Sequence, residues 1–159
     1  MSVYKKFNIM NKDIEKIEHR LSDIVRKNED AIKGFEKASK NSEQVGIKTY
    51  FEKKVIERMQ FLREIRAAVP DLDLGSVAID GSAAGAVHRK WMDVKAFFAG
   101  DSDEAMLEEA VRGDKSAIED YDKALTETMM PPRLKEIIRT QREKLHNDIQ
   151  TTEILEDYR

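Results

Sequence analysis

Four stretches of the chain carry apolar residues every three or four positions, with charged residues between them. This spacing places the apolar side chains on one face of an α-helix. The first stretch covers residues 11–42, and the second follows Gly46 and stops at Pro70, which cannot continue a helix. The third follows the acidic start signal DSDE at residues 101–104, and the fourth runs from near Pro132 into the tail. The pattern predicts four long amphipathic helices.

The connections between these helices differ in length. Short turns separate the first helix from the second and the third from the fourth, so each pair forms an antiparallel hairpin. Residues 70–101 lie between the hairpins and can run the length of a bundle, and their second half, residues 82–100, has the pattern of a short extra helix. We predict an all-α, ferritin-like antiparallel four-helix bundle, in which two helical hairpins are joined by a long crossover that contains the extra helix. A single domain would cover residues 1–159.

The first and third helices are similar in sequence. Residues 107–124, placed over residues 21–38 at an offset of 86, match identically at seven of eighteen positions. Either the two hairpins descend from one duplicated hairpin, or two amphipathic helices of similar composition have converged. Asn28 and Asp114 are related by this offset.

Composition excludes several classes of protein. Apolar residues make up 40% of the chain and charged residues 37%, and the net charge is −3 with both signs interspersed, so we expect no nucleic-acid partner. The chain has no cysteine, which excludes disulfides and thiolate ligands. Its start lacks the apolar core of a signal peptide, and no apolar run approaches the ~20 residues of a membrane span. We expect a cytoplasmic protein without a transmembrane segment.

The stretch EKLH, residues 143–146, has the Glu-x-x-His spacing that di-iron carboxylate proteins use inside a four-helix bundle. A metal site of this kind would combine Glu143 and His146 with Glu57 and Glu109. At about 100° per residue, however, Glu143 lies about 180° and His146 about 120° from Leu134, the centre of the apolar stripe on the fourth helix. The other two candidates also fall off their apolar stripes. The helix faces therefore disfavour a metal site.

The same geometry identifies four polar residues that point inward. Each lies seven residues after a central apolar position, which returns it nearly to the same direction. They are Asn28, Arg58, Asp114 and Gln141, after Leu21, Phe51, Leu107 and Leu134. We predict one buried polar layer in which Arg58 makes a bidentate pair with Asp114 and the two amides satisfy the remaining groups. The alternatives are partly solvated positions that never meet, or a pocket for a ligand or metal.

The crossover contains a second conspicuous cluster in HRKWMDVK, residues 88–95. One interpretation is a partner-binding or lipid-facing helix, with Trp91 as anchor beside His88, Arg89 and Lys95. The alternative is that Trp91 only docks the crossover on its own bundle.

Together, HRKWMDVK, LEEAVRGDKSAIEDY (107–121), ERMQFL (57–62) and the pair Gln141 and His146 resemble a bacterial family of ferritin-like domains of unknown function. The resemblance covers roughly residues 17–149. It implies a ferritin-like bundle related in shape to rubrerythrin and bacterioferritin, and by analogy a stress-related role. The rubrerythrin pattern of inward Glu and Glu-x-x-His residues on paired helices is not reproduced.

These observations favour a non-enzymatic, ferritin-like bundle protein without a cofactor, in which the polar layer replaces a di-iron site. The first alternative is an iron-dependent oxidoreductase of the rubrerythrin type that uses the four candidate ligands. The second is a module that assembles with itself or with a protein partner through the crossover helix.

Overall fold

The computed structural model describes residues 2–74 and 102–157, and within these ranges it contains four α-helices and no strand. The all-α four-helix class is therefore confirmed. The predicted extra helix and the residues His88, Arg89, Trp91 and Lys95 lie outside the described residues. The four helices are α1 (Val3–Asn41), α2 (Val45–Ala68), α3 (Asp103–Leu125) and α4 (Pro132–Asp157).

Polar side chains fix the helix starts. Ser2 and Ser102 cap α1 and α3, because their hydroxyls accept hydrogen bonds from backbone N–H groups three residues later. The N-cap of α2 makes no side-chain hydrogen bond. Instead, the carboxylate of Asp103 accepts the N–H groups of Glu43 and Gln44, each at 3.0 Å. This contact ties the α1–α2 turn to the start of α3. The turn precedes Gly46, which lies in the first turn of α2.

Neighbouring helices run antiparallel. Arg20 near the start of the buried part of α1 bonds Glu127 just beyond α3, and Glu43 beyond the end of α1 bonds Asp103 at the start of α3. On the other side of the bundle, Tyr50 near the start of α2 bonds the carbonyl of Asp148 late in α4, and Gln141 earlier in α4 bonds the carbonyl of Phe61 later in α2. Because each neighbouring pair is antiparallel, α2 ends at the opposite end of the bundle from the start of α3.

The core consists of two apolar clusters with polar residues between them. The large apolar cluster lies toward the end of α2, and its fully buried members are Leu21, Ile24, Phe61, Ile65, Tyr121, Ala124, Ile138 and Leu145. The small apolar cluster lies toward the start of α2 and comprises Phe35, Ala38, Ile47, Phe51, Met106, Leu107 and Ala110. Burial of these side chains supplies most of the drive for folding, at roughly 25 cal/mol per Å² of apolar surface.

Helix α1 is longer than its partners, with 39 residues against 23 to 26. Among the described side chains of α1 the first buried one is Ile17, and Met10 and Ile14 before it are exposed. Ile14 falls within the first predicted amphipathic stretch, residues 11–42, but it is exposed because it precedes the region where α1 meets the other helices. No helix in residues 2–74 and 102–157 is long and apolar enough to cross a membrane.

Candidate functional site

The four residues of the predicted polar layer are brought together between the two apolar clusters. Asn28, Arg58 and Gln141 have no exposed surface, and Asp114 is 1% exposed. Arg58 is the largest side chain that is fully buried in the described part of the chain. A guanidinium at this depth requires partners, because an isolated buried charge is strongly destabilising.

Arg58 divides its hydrogen bonds between two helices. Its Nη2 donates to Oδ1 of Asp114 at 2.6 Å, and its Nη1 donates to Oδ1 of Asn28 at 3.2 Å. The predicted bidentate pair with Asp114 is therefore wrong. The second carboxylate oxygen of Asp114 accepts instead from Nζ of Lys54, also at 2.6 Å. The carboxylate is bound by two cations, one on each oxygen.

Lys54 connects the layer to α4. Its Nζ donates to Oδ2 of Asp114 and, at 3.3 Å, to Oδ2 of Asp148. Burial alone would lower the pKa of Lys54, but the carboxylate of Asp114 raises it, and the net shift is upward. Lys54 therefore remains charged in the core, although it is only 2% exposed.

Aromatic rings enclose the two cations. Nζ of Lys54 lies 4.8 Å from the ring centroid of Phe35, and the guanidinium carbon of Arg58 lies 5.7 Å from the same ring. On the opposite side, the guanidinium carbon is 5.5 Å from the ring of Phe61. Cation–π attraction strengthens when water is absent, so these rings stabilise the charges while keeping them dry.

A chain of neutral hydrogen bonds completes the layer. The hydroxyl of Tyr121 donates to Oε1 of Gln141 at 2.7 Å and accepts from Nδ2 of Asn28 at 3.1 Å. Nε2 of Gln141 donates to the carbonyl of Phe61 at 3.2 Å. Burial raises the pKa of Tyr121, so its hydroxyl stays protonated and can donate. The layer thus joins all four helices through one connected network.

Glu57 borders the network on the α2–α4 side. Its side chain is 25% exposed, and its buried Oε2 lies 3.8 Å from Nε of Arg58. Neither of these two atoms has a hydrogen-bond partner in the described residues, although Nε of Arg58 is a donor and Oε2 of Glu57 an acceptor. Burial and the facing carboxyl of Asp148 raise the pKa of Glu57 to about 8. Glu57 was predicted to lie off the core face, but its carboxyl in fact contacts the layer.

The four candidate metal ligands are not brought together. Glu143 and His146 lie on the exposed face of α4, and Glu109 is a half-buried residue paired with Arg112 on its own helix. Only Glu57 reaches the core. Among the described residues, no group of three or more His, Cys, Asp or Glu side chains could hold a metal ion.

Sequence reasoning missed the roles of Lys54, Asp148 and Tyr121. Asp148 lies seven residues after Gln141, so it continues the same inward direction, and Lys54 lies three residues after Phe51 on the apolar face of α2. Both positions were therefore available from spacing. The burial of Lys54 was not predicted because a lysine in an amphipathic helix is ordinarily solvated. Tyr121 lies fourteen residues after Leu107 on the apolar face of α3, and this spacing carries no information about its hydroxyl.

Comparison with known proteins gives one family match. Residues 16–127 match a family described as a domain of unknown function (DUF2383), and this span contains most of α1 and all of α2 and α3. No curated protein and no solved structure matches the chain.

Proposed function

Because the chain belongs to the DUF2383 family, whose description assigns no activity, we propose its function from the core itself. It is a non-catalytic, ferritin-like bundle protein that acts through its surfaces, and a buried ionic network stands where related bundles hold two metal ions. The observation that carries this proposal is the position of Lys54 and Arg58 between the carboxylates of the core.

The donor set does not fit a di-iron centre. Such a centre takes several inward carboxylates and imidazoles, contributed by all four helices of a bundle. Here α1 contributes the amide of Asn28 and α4 the amide of Gln141, while α2 contributes an ammonium and a guanidinium. These two cations would repel a metal ion from the carboxylate of Asp114.

The same two groups satisfy the charge requirement that a metal would otherwise meet. Nζ of Lys54 bridges Asp114 and Asp148, which come from α3 and α4, and so joins three helices. Arg58 binds the other oxygen of Asp114 and reaches α1 through Asn28. Protein cations therefore stabilise the core carboxylates, and the bundle needs no cofactor to fold.

The alternative function, an iron-dependent oxidoreductase using Glu57, Glu109, Glu143 and His146, lacks a shared site in the described residues. The connectivity supports kinship with ferritin-like bundles, since α2 ends at the opposite end of the bundle from the start of α3.

Metal loading tests the proposal directly. The wild-type protein is incubated anaerobically with Fe(II), desalted and analysed for iron, and its thermal unfolding is recorded with Fe(II), Mn(II), Zn(II) or a chelator. We expect no retained metal and the same unfolding midpoint in all conditions, because Lys54 and Arg58 already bind both oxygens of Asp114.

The double variant Glu143→Gln/His146→Ala is the matched control for the competing function. About two irons per wild-type chain, a raised midpoint and loss of both in this variant would establish a di-iron site and refute the proposal.

A further inference from the structure

The ionic layer holds more carboxyl groups than cations. Asp114, Asp148 and Glu57 contribute three carboxyls, whereas Lys54 and Arg58 contribute two positive charges. An unbalanced charge removed from water is costly, and a cluster of this kind lowers its energy by retaining a proton. One of the three carboxyls is therefore expected to stay protonated.

The hydrogen bonds identify where that proton lies. Both oxygens of Asp114 accept from cations at 2.6 Å, which is the arrangement of an ionised carboxylate. Glu57 and Asp148 are held less closely, since Oε2 of Glu57 lies 3.8 Å from Nε of Arg58 and Oδ2 of Asp148 lies 3.3 Å from Nζ of Lys54, and no protein donor in the described part of the chain reaches the buried Oε2 of Glu57. Two facing carboxyls attract each other only when one of them donates a hydrogen bond.

These two carboxyls lie across the seam between α2 and α4, which has the smallest contact of the four neighbouring helix pairs. We propose that Glu57 keeps a proton and donates it in a hydrogen bond to Asp148 that holds α2 against α4, and that the seam loosens when alkaline solution removes this proton. This inference rests on the proposed function, because a metal ion at the layer would displace the proton.

Within this cluster, Glu57 is the group that we expect to lose a proton in mildly alkaline solution. Burial and Asp148 raise the pKa of Glu57 to about 8. The pKa values of Lys54, Tyr50 and Tyr121 are also raised, and their ordinary values already lie at 10 or above. The charged and titratable groups that face Glu57 are Lys54 and Arg58 from α2, Asp148 from α4 and Tyr121 from α3. Helix α1 faces the layer with the uncharged amide of Asn28.

The direction of the pH effect follows from proton binding. Between the ordinary pKa of 4.5 and about 8, the folded protein binds this proton and the unfolded chain does not. Raising the pH through this window therefore lowers the folding equilibrium constant, by up to about tenfold per pH unit for a single group. Below the window the group has no effect on the pH dependence.

The test compares the wild type with Glu57→Gln by urea unfolding from about pH 5.5 to about pH 9.5, in the presence of a chelator. The Gln amide is neutral and can donate to Asp148 at every pH, so it imitates the protonated acid. We expect the urea midpoint of the wild type to fall as the pH rises, while that of Glu57→Gln changes much less. Asp148→Asn should flatten the profile as well, because the Asn amide can donate to an ionised Glu57.

Glu52→Gln is the matched control, because Glu52 is an exposed acid on the same helix. Its profile should parallel the wild type. Hydrogen exchange, corrected for the intrinsic effect of pH, should show faster opening of α2 and α4 than of α1 and α3 in the alkaline wild type. Parallel profiles for the metal-free wild type, Glu57→Gln and Asp148→Asn would refute the retained proton and leave the proposed function standing. Metal retained by the wild type would refute both.

Discussion

The large apolar cluster and the polar layer lie side by side on the same four helices, yet they are held together differently. In the cluster, side chains such as Leu21 and Ile138 stabilise the fold through the hydrophobic effect, which does not depend on the orientation of the contacting groups. In the layer, Arg58, Lys54 and Asp114 contribute only while each has its partners. A substitution in the cluster should therefore lower the free energy of unfolding according to the volume removed, and one in the layer according to the polar groups that it leaves unpaired.

The largest effect is expected for Asp114→Ala. It removes the carboxylate that both buried cations bind, and an uncompensated buried charge typically costs about 3–5 kcal/mol of unfolding free energy. Urea unfolding at neutral pH measures this loss. If the variant is unfolded under all conditions, Asp114→Asn keeps the shape and removes only the charge, and it should still be markedly destabilised.

The joint replacement Lys54→Met/Arg58→Leu/Asp114→Leu sharpens the same test. It removes both cations with their shared anion, so no buried charge of that trio is left alone, and it should be more stable than Asp114→Ala. A triple variant less stable than Asp114→Ala would contradict this difference between the layer and the cluster, because lost volume and not unpaired charge would then determine the cost.

A smaller loss is expected for Tyr121→Phe. The substitution keeps the ring but removes the hydroxyl that joins Asn28 to Gln141, so two buried amides each lose a partner. An unsatisfied buried polar group costs about 1–3 kcal/mol. A double-mutant cycle with Gln141→Leu, measured by urea unfolding, should show coupling between the two positions. Additive losses would indicate that the hydrogen bond contributes little.

Ile138→Val tests the large apolar cluster. Ile138 is fully buried in the large apolar cluster, and removing one methylene there should cost about 0.5–1.5 kcal/mol without any dependence on pH. Thermal unfolding at two pH values checks both statements. A loss that changes with pH would mean that the cluster is coupled to the charges of the layer.

Most of the fold follows from periodicity, because apolar stripes, Pro70 and the acidic start of α3 are local signals. Periodicity does not predict the burial at the beginning of α1. Met10 and Ile14 keep the apolar spacing of the core residues, but both are exposed. A periodic pattern predicts a helical face, but the length of the partner helices decides how much of that face is covered.

The candidate site was predictable in position but not in pairing. A seven-residue interval places Asn28, Arg58, Asp114 and Gln141 inward, and these residues do meet in the core. Which oxygen of Asp114 binds which cation depends on side-chain reach across helices, and spacing carries no information about that. Lys54 competes with Arg58 for the same carboxylate, so the predicted bidentate pair does not form.

The smallest effect is expected for the double substitution Glu143→Gln/His146→Ala, which removes the only Glu-x-x-His pair that suggested metal. Both side chains are exposed on α4, away from the layer and the clusters. Surface substitutions of this kind usually change stability by less than about 0.5 kcal/mol. Thermal unfolding of the metal-free protein should therefore match the wild type, which contrasts with the loss expected for Asp114→Ala. A large loss of stability in the metal-free double variant would mean that Glu143 or His146 makes stabilising contacts, which would contradict their assignment to the exposed face of α4.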